Sequence, residues 1–233
     1  MPNQDFRARL QPKSMSTTND QTGTPVNDVL GPKTSSNILY PLFQTRGVIF
    51  PYTPAVSGGT TVYYDDTTSF IHSNYGYSAY IRTQPKPISI NAEFTAQSTA
   101  EAQYLLSVLH FFRSATKSYF GINPYNKAGT PPPVLVFNYL GDYQYNNVPV
   151  IIKDFSYTYE ASVDYVKVDT SSFGSSSNIK TVSLPPGQSG ITWVPTHLSV
   201  TLELDTQYTP IKLRNNFDLD KFRSGKLING GYI

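Results

Sequence analysis

QSTAEAQYLLSVLHFFRSATKSYFG, residues 97–121, is the stretch on which the reading of this chain turns. Ser98 can accept from the backbone N–H of Glu101 while the Glu101 carboxylate reaches back to the N–H of Ser98, the reciprocal box that opens many helices. Gly121 suits the left-handed position just past a helix end, and Lys117 stands where a cation meets the negative end of the helix dipole. One long helix over residues 98–120 is therefore predicted. On a wheel at about 100° per residue, Ala102, Tyr104, Leu105, Leu106, Val108, Leu109, Phe111, Phe112 and Ala115 span about 220°. Gln103, Ser107, His110, Ser114 and Lys117 remain as a polar stripe. A helix resting on one sheet needs an apolar stripe only a little over about 100° wide. The excess has two readings: a helix sunk deep in its own fold, or a second flank against a neighbouring subunit. In the second reading Tyr104, Val108 and Phe111 share the subunit-facing edge.

The segments around this helix read as strands. Ile88, Ile90, Ala92 and Phe94 alternate with Ser89, Asn91, Glu93 and Thr95, the period-two pattern of a half-buried strand that runs straight into the helix. Residues 134–140 form a nearly continuous apolar run, expected to be buried on both faces. Residues 147–160 are its antiparallel partner, with a change of parity: Val148, Val150 and Ile152 share one face, yet Phe155, Tyr157 and Tyr159 are odd-numbered. A bulge at Lys153-Asp154 is predicted. Residues 196–205 alternate with Leu198, Val200, Leu202 and Leu204 inward. Shorter strands are expected at 47–50, 62–64 and 163–168, and at 75–82 with Tyr75, Tyr77, Ala79 and Ile81 on one face. The fold class is mainly β with one long flanking α-helix.

The rest of the chain divides around that domain, taken as residues 37–209. Residues 1–36, with four prolines among polar side chains, read as an N-terminal extension ordered only if something holds it. Residues 170–190, rich in Ser, Gly and Pro, form a loop longer than compact domains usually carry, and are expected to become ordered on assembly. Residues 210–233 make a docking arm that carries the excess positive charge, five basic against two acidic residues from 206 onward. Its Phe217, Leu219 and Phe222 do not make a helical stripe, so they are read as anchors in a groove on a neighbouring subunit or an adjacent ring.

Only 15% of the residues are charged while the chain holds eighteen tyrosines and thirteen phenylalanines, so hydroxyls, amides and aromatics must dominate the surface. With no cysteine, disulfides and thiolate chemistry are excluded. A formal charge of +2 is too small to argue for a nucleic-acid or acidic-membrane partner, and no run of eighteen apolar residues predicts a membrane span. His72, His110 and His197 lack metal-ligand spacing, and no nucleophile elbow or phosphate loop is present. The pairs Asp65-Asp66 and Glu203/Asp205 read as solvated faces rather than catalytic carboxylates. No enzymatic activity, cofactor or metal is expected. Tyrosine platforms for carbohydrate are a further alternative.

Residues 94–121, FTAQSTAEAQYLLSVLHFFRSATKSYFG, with the Pro-rich connector and VLVFNYLG that follow, resemble the baseplate–tail-tube junction proteins of contractile-tailed bacteriophages. PTHLSVTLELDTQYTPIKLRNNFDLDKFRSG, residues 195–225, is similar to the closing strand and tail of that family. The resemblance spans about residues 40–165 and 192–225, two thirds of the chain. It implies a tail-tube-type β-sandwich or partial barrel, six copies of which close a ring with a continuous inner β-barrel. Such a ring would be a virion component, assembled in the host cytoplasm, with the baseplate hub below it and a tail tube or second junction protein above. Wedge proteins are further partners, and DNA passes through the lumen without specific binding. Ser89, Asn91, Glu93 and Thr95 would then face the lumen. A tail-tube or tail-terminator subunit of the same fold is the alternative within this resemblance.

Overall fold

The computed structural model describes residues 6–19, 25–65, 71–120, 128–169 and 190–233. Strands take up 40% and helices 20%, so the mainly-β expectation holds. In chain order the elements are β1 (Arg9–Pro12), β2 (Thr18–Asn19), β3 (Pro25–Asn27), β4 (Gly31–Pro32), α1 (Tyr40–Thr45), β5 (Val48–Ile49), β6 (Ala55–Ser57), β7 (Thr60–Asp65) and β8 (Ala79–Pro85). They continue with β9 (Ile88–Thr95), α2 (Thr99–Ala115), β10 (Leu135–Tyr139), β11 (Tyr145–Tyr159), β12 (Tyr165–Asp169), β13 (Ile191–Pro195), β14 (His197–Thr206), α3 (Pro210–Asn216), α4 (Leu219–Arg223) and a 3-10 turn, Ile228–Gly230.

Seven antiparallel strands form the main sheet, in the order β5-β1-β10-β11-β14-β9-β6. Its inward face carries Ile88, Ile90, Ala92 and Phe94 from β9 and Leu198, Val200, Leu202 and Leu204 from β14, all buried, as their alternation requires. The predicted bulge is present: the pairing of β11 with β14 shifts register between Ile152 and Asp154. One extra residue restores parity, so Phe155 follows Ile152 onto the helix-facing side and packs on Phe112 at 5.2 Å. β10 departs from expectation. Leu135, Phe137 and Tyr139 are buried but Val136 and Asn138 only half so.

α2 opens as its sequence dictates, with Ser98 accepting from the Glu101 N–H and the Glu101 carboxylate accepting from the N–H groups of Gln97 and Ser98. It ends at Ala115 rather than 120. The hydroxyls of Ser114 and Thr116 bond the carbonyls of Phe111 and Arg113, and the Lys117 N–H donates to Ser114, which together tighten and close the last turn. Gly121 lies outside the described residues. The wide apolar arc is consumed within the chain by the sheet beneath, α1 on one flank and the β12–β13 hairpin on the other. Ser107, assigned to the polar stripe, is fully buried and donates to the carbonyls of Ile38 and Gln103.

The described residues of the stretch read as an extension, 6–19 and 25–36, pack as part of the domain. β1 lies between β5 and β10, with Ala8, Leu10 and Leu30 fully buried. Asn27 holds the segment in shape: its amide donates to the carbonyls of Ser14 and Ser16 while its oxygen accepts from the N–H groups of Val29 and Leu30. Residues 170–189 of the expected long loop lie outside the described residues.

Candidate functional site

Val108 and Phe111, predicted to face a neighbour, are 1% and 0% exposed within the single chain and offer no surface to a partner. Tyr104 is half-buried, and its hydroxyl is bonded to the backbone of Ile49 in β5; burial raises its pKa above the ordinary phenol value, against the opposing pull of that hydrogen bond. The helix is therefore an internal element, and the surfaces left for other molecules lie elsewhere.

The first is the open face of the main sheet. Register sets Thr95 beside His197, Glu93 beside Ser199, Asn91 beside Thr201 and Ser89 beside Glu203. Asn91 accepts from the Thr201 hydroxyl at 2.9 Å, and Lys153 pairs with Glu203 at 3.1 Å. The predicted polar residues Ser89, Asn91, Glu93 and Thr95 thus lie together on one solvated face with more carboxylates than cations.

A second surface is the β7–β8 hairpin, a two-stranded sheet with no third strand among the described residues. Val62, Tyr63 and Tyr64 are consecutive and all exposed, so side chains on both faces of the strand meet solvent. Tyr80 and Ile81 on β8 are likewise exposed. Its local contacts are slight: Tyr64 stacks edge-on with Tyr80 at 6.0 Å, and Arg82 lies 4.8 Å over the Tyr63 ring. The expected 75–82 strand is displaced. It begins at Ala79 and runs to Pro85, so Tyr75 and Tyr77 fall in the loop ahead of it, exposed.

The C-terminal segment folds back on its own chain. Tyr208 and Tyr232 stack at 5.4 Å and 6°, the Tyr208 hydroxyl donates to the Gly231 carbonyl at 2.8 Å, and the Tyr232 hydroxyl donates to the Lys212 carbonyl at 3.0 Å. Burial, with Tyr232 adding to it, pushes the Tyr208 phenol up to about 12. Gly231 holds φ 78°, and a Cβ there would run into the carbonyl oxygen of Asn147. Asp218 caps α4, and the backbone N–H groups of Lys221 and Asp220 hold its carboxyl below the usual range.

Phe217, Leu219 and Phe222, expected to anchor on a neighbour, take part in a surface of their own chain. With Tyr80 and Pro85 of the hairpin on the opposite side, they line a groove of about 690 Å3 in their own chain. Phe217 and Leu219 remain 46% and 52% exposed. Sequence reasoning found these apolar residues but not the hairpin residues beside them, because nothing local shows what stands opposite them. It missed a third aromatic surface: across β12 and β13, Lys167 is beside Trp193 and Tyr165 beside Pro195, and Tyr165 and Trp193 are both exposed.

The exposed His110 stands apart from His197, which lies 3.7 Å from Glu93 on the open sheet face. Among the described residues no group of three His, Asp or Glu side chains is placed to hold a metal ion. No protein-family model matches the chain, and no curated protein matches it.

Proposed function

We propose that the chain is a structural subunit of a ring, of six copies, at the baseplate–tail-tube junction of a contractile-tailed bacteriophage, linking the central hub to the tail tube and nucleating tube growth. The observation that carries the reading is the β7–β8 hairpin. A two-stranded sheet alone in water is marginal at best, and this one leaves Tyr63, Tyr64, Tyr80 and Ile81 in solvent. Burial against another subunit gives it the missing apolar contact. Such a contact joins unlike surfaces of successive copies, the arrangement that generates closed rings. The likeness of residues 94–121 and 195–225 to the junction proteins supplies the identity of the assembly.

The open sheet face supports the same reading. A lumen wall that lets DNA slide needs polar groups without a basic stripe, since each neutralised phosphate would add affinity. Glu93, Glu203 and Asp205 with Ser89, Asn91 and Thr95 provide that surface. In this reading the sheet is the tail-tube-type unit that contributes to a ring-wide barrel, and the protein works by geometry without catalysis or a cofactor.

The test is mass measurement of the full chain beside a tube-growth assay with the tube protein. A hexamer-sized species that shortens the lag of tube growth is expected. Tyr64→Ser combined with Tyr80→Ser should keep the β signal in circular dichroism and abolish both effects. A monomer that leaves tube growth unchanged refutes the proposal, and glycan binding by such a monomer would mark the tyrosines as a carbohydrate platform instead.

A further inference from the structure

We infer that the β7–β8 hairpin is a hinged arm that closes onto the C-terminal helices of its own chain. The arm continues the β6–β9 ladder without belonging to it. Ser57 pairs with Ser89 and Thr60 with Pro85, so two residues on one strand stand against three on the other and the pairing falls out of step. The break holds Gly58, Gly59, Lys86 and Pro87; the Lys86 N–H donates to the Gly59 carbonyl across it, and Pro87 has no N–H to add. Neither glycine has a left-handed φ, and a Cβ at Gly59 would meet nothing nearer than the Lys86 Cδ at 3.8 Å. The present position therefore asks for no glycine at 59, and what the pair supplies is freedom to turn.

The two faces of the arm decide which way it closes. A register shift between Tyr63 and Tyr64 makes Ile81 the extra residue of a bulge, so Tyr80 turns to the side of Thr83, and their hydroxyls meet at 2.9 Å. That side holds Thr60, Val62, Tyr64, Tyr80, Thr83 and Pro85 and carries no charge, whereas the opposite side holds Arg82, its guanidinium 4.8 Å over the Tyr63 ring. The uncharged side is the one that lines the groove, facing Leu213, Phe217, Leu219 and Phe222. Both walls are wet, with Tyr80 61% and Leu219 52% exposed. A turn at the glycines sets apolar surface against apolar surface across the groove of about 690 Å3 and leaves Arg82 in water. Because the arm is tethered beside the wall, its effective concentration there exceeds that of a second copy in dilute solution. Closure needs only one folded chain. Its consequence, that Tyr64 and Tyr80 are withheld from a neighbouring subunit until the arm opens, rests on the ring reading.

The chain has no cysteine, so spin labels at Tyr63→Cys and Asn215→Cys, neither of which lines the groove, report the position of the arm by double electron–electron resonance on the full chain. Tyr63 stands four residues beyond Gly59, about 13 Å along an extended strand, so a turn of about 30° moves its label by about 7 Å. Two distances are expected, the shorter one lost with Leu219→Ser or Tyr80→Ser, and lost also with Gly59→Val, which stiffens the hinge. Circular dichroism verifies that each variant keeps its β signal. A single distance indifferent to these substitutions overturns the inference. So does a shorter distance that disappears when the labelled chain is diluted with unlabelled chain, which would make the contact one between copies. Failure of the tube-growth assay alters neither readout.

Discussion

The Tyr104 hydroxyl accepts from the Ile49 N–H at 2.8 Å and donates to the Ile49 carbonyl at 3.0 Å, so one side chain of α2 satisfies both backbone groups of an edge-strand residue. Phe50 donates to Ala8 on the neighbouring strand, and alternation then turns the polar groups of Ile49 away from the sheet. An open edge there would invite pairing with another chain. Tyr104→Phe should lower stability by about 1–2 kcal/mol, a Tm drop of about 2–8 °C in thermal melts. Any self-association of the unaltered chain should be unchanged in the variant, whereas its loss without loss of stability would return Tyr104 to a subunit interface.

Val108 gives the sharper contrast. An aspartate at this fully buried position would be an unpaired charge facing the sheet, at a cost of several kcal/mol, about 4 or more. Val108→Asp is expected to unfold the chain outright, as seen by circular dichroism, rather than yield a folded subunit that cannot assemble.

The bulge in β11 can be tested by deletion. Removing Lys153 makes the pairing with β14 regular and leaves Phe155 two residues from Ile152 and opposite Leu202, so simple alternation keeps Phe155 on Phe112 without the bulge. Denaturant unfolding should therefore change by no more than about 1–2 kcal/mol, and a loss of about 3–5 kcal/mol would mean that the bulge itself holds Phe155 in place. Lys153→Ala removes only an exposed ion pair with Glu203 and should cost less than about 1 kcal/mol.

Gly231 locks the C-terminal fold-back. Gly231→Ala combines a left-handed φ with a clash against Asn147 and should release the segment from the sheet. Hydrogen exchange should rise across residues 207–233 while β9 and β14 keep their protection. Unchanged exchange would mean that the tyrosine stack alone holds the tail.

The same stack sets a pH limit. The Tyr208 pKa is raised to about 12 in the folded chain, above the ordinary value of 10.0, so the neutral phenol is favoured by folding. Its contribution is complete below pH 10, where both states keep the proton, and is lost as pH rises from 10 through 12, because the unfolded chain ionises first. Stability should fall over that window, and Tyr208→Phe should flatten this part of the profile. An identical profile for the variant would assign the alkaline loss to other tyrosines.

Local chemistry sufficed for the elements whose signal is carried by neighbours in sequence. The box of Ser98 and Glu101, the alternation from Ile88 to Phe94 and from Leu198 to Leu204, and the parity slip at Lys153 all follow from backbone geometry within a few residues. So each stands in the structure where the sequence places it. What lay opposite each element could not be read that way. The 220° arc of α2 is the same whether α1, β12–β13 or a second molecule covers it, and only tertiary packing showed that the chain covers it itself. Ser107 is buried because the Ile38 carbonyl arrives from sixty-nine residues away. Leu10 is core because β5 and β10 come to flank a short strand among prolines. Phe217, Leu219 and Phe222 were legible as apolar, but whether they fill a groove or line one depends on a hairpin more than a hundred residues earlier, and sequence spacing carries no information about that distance.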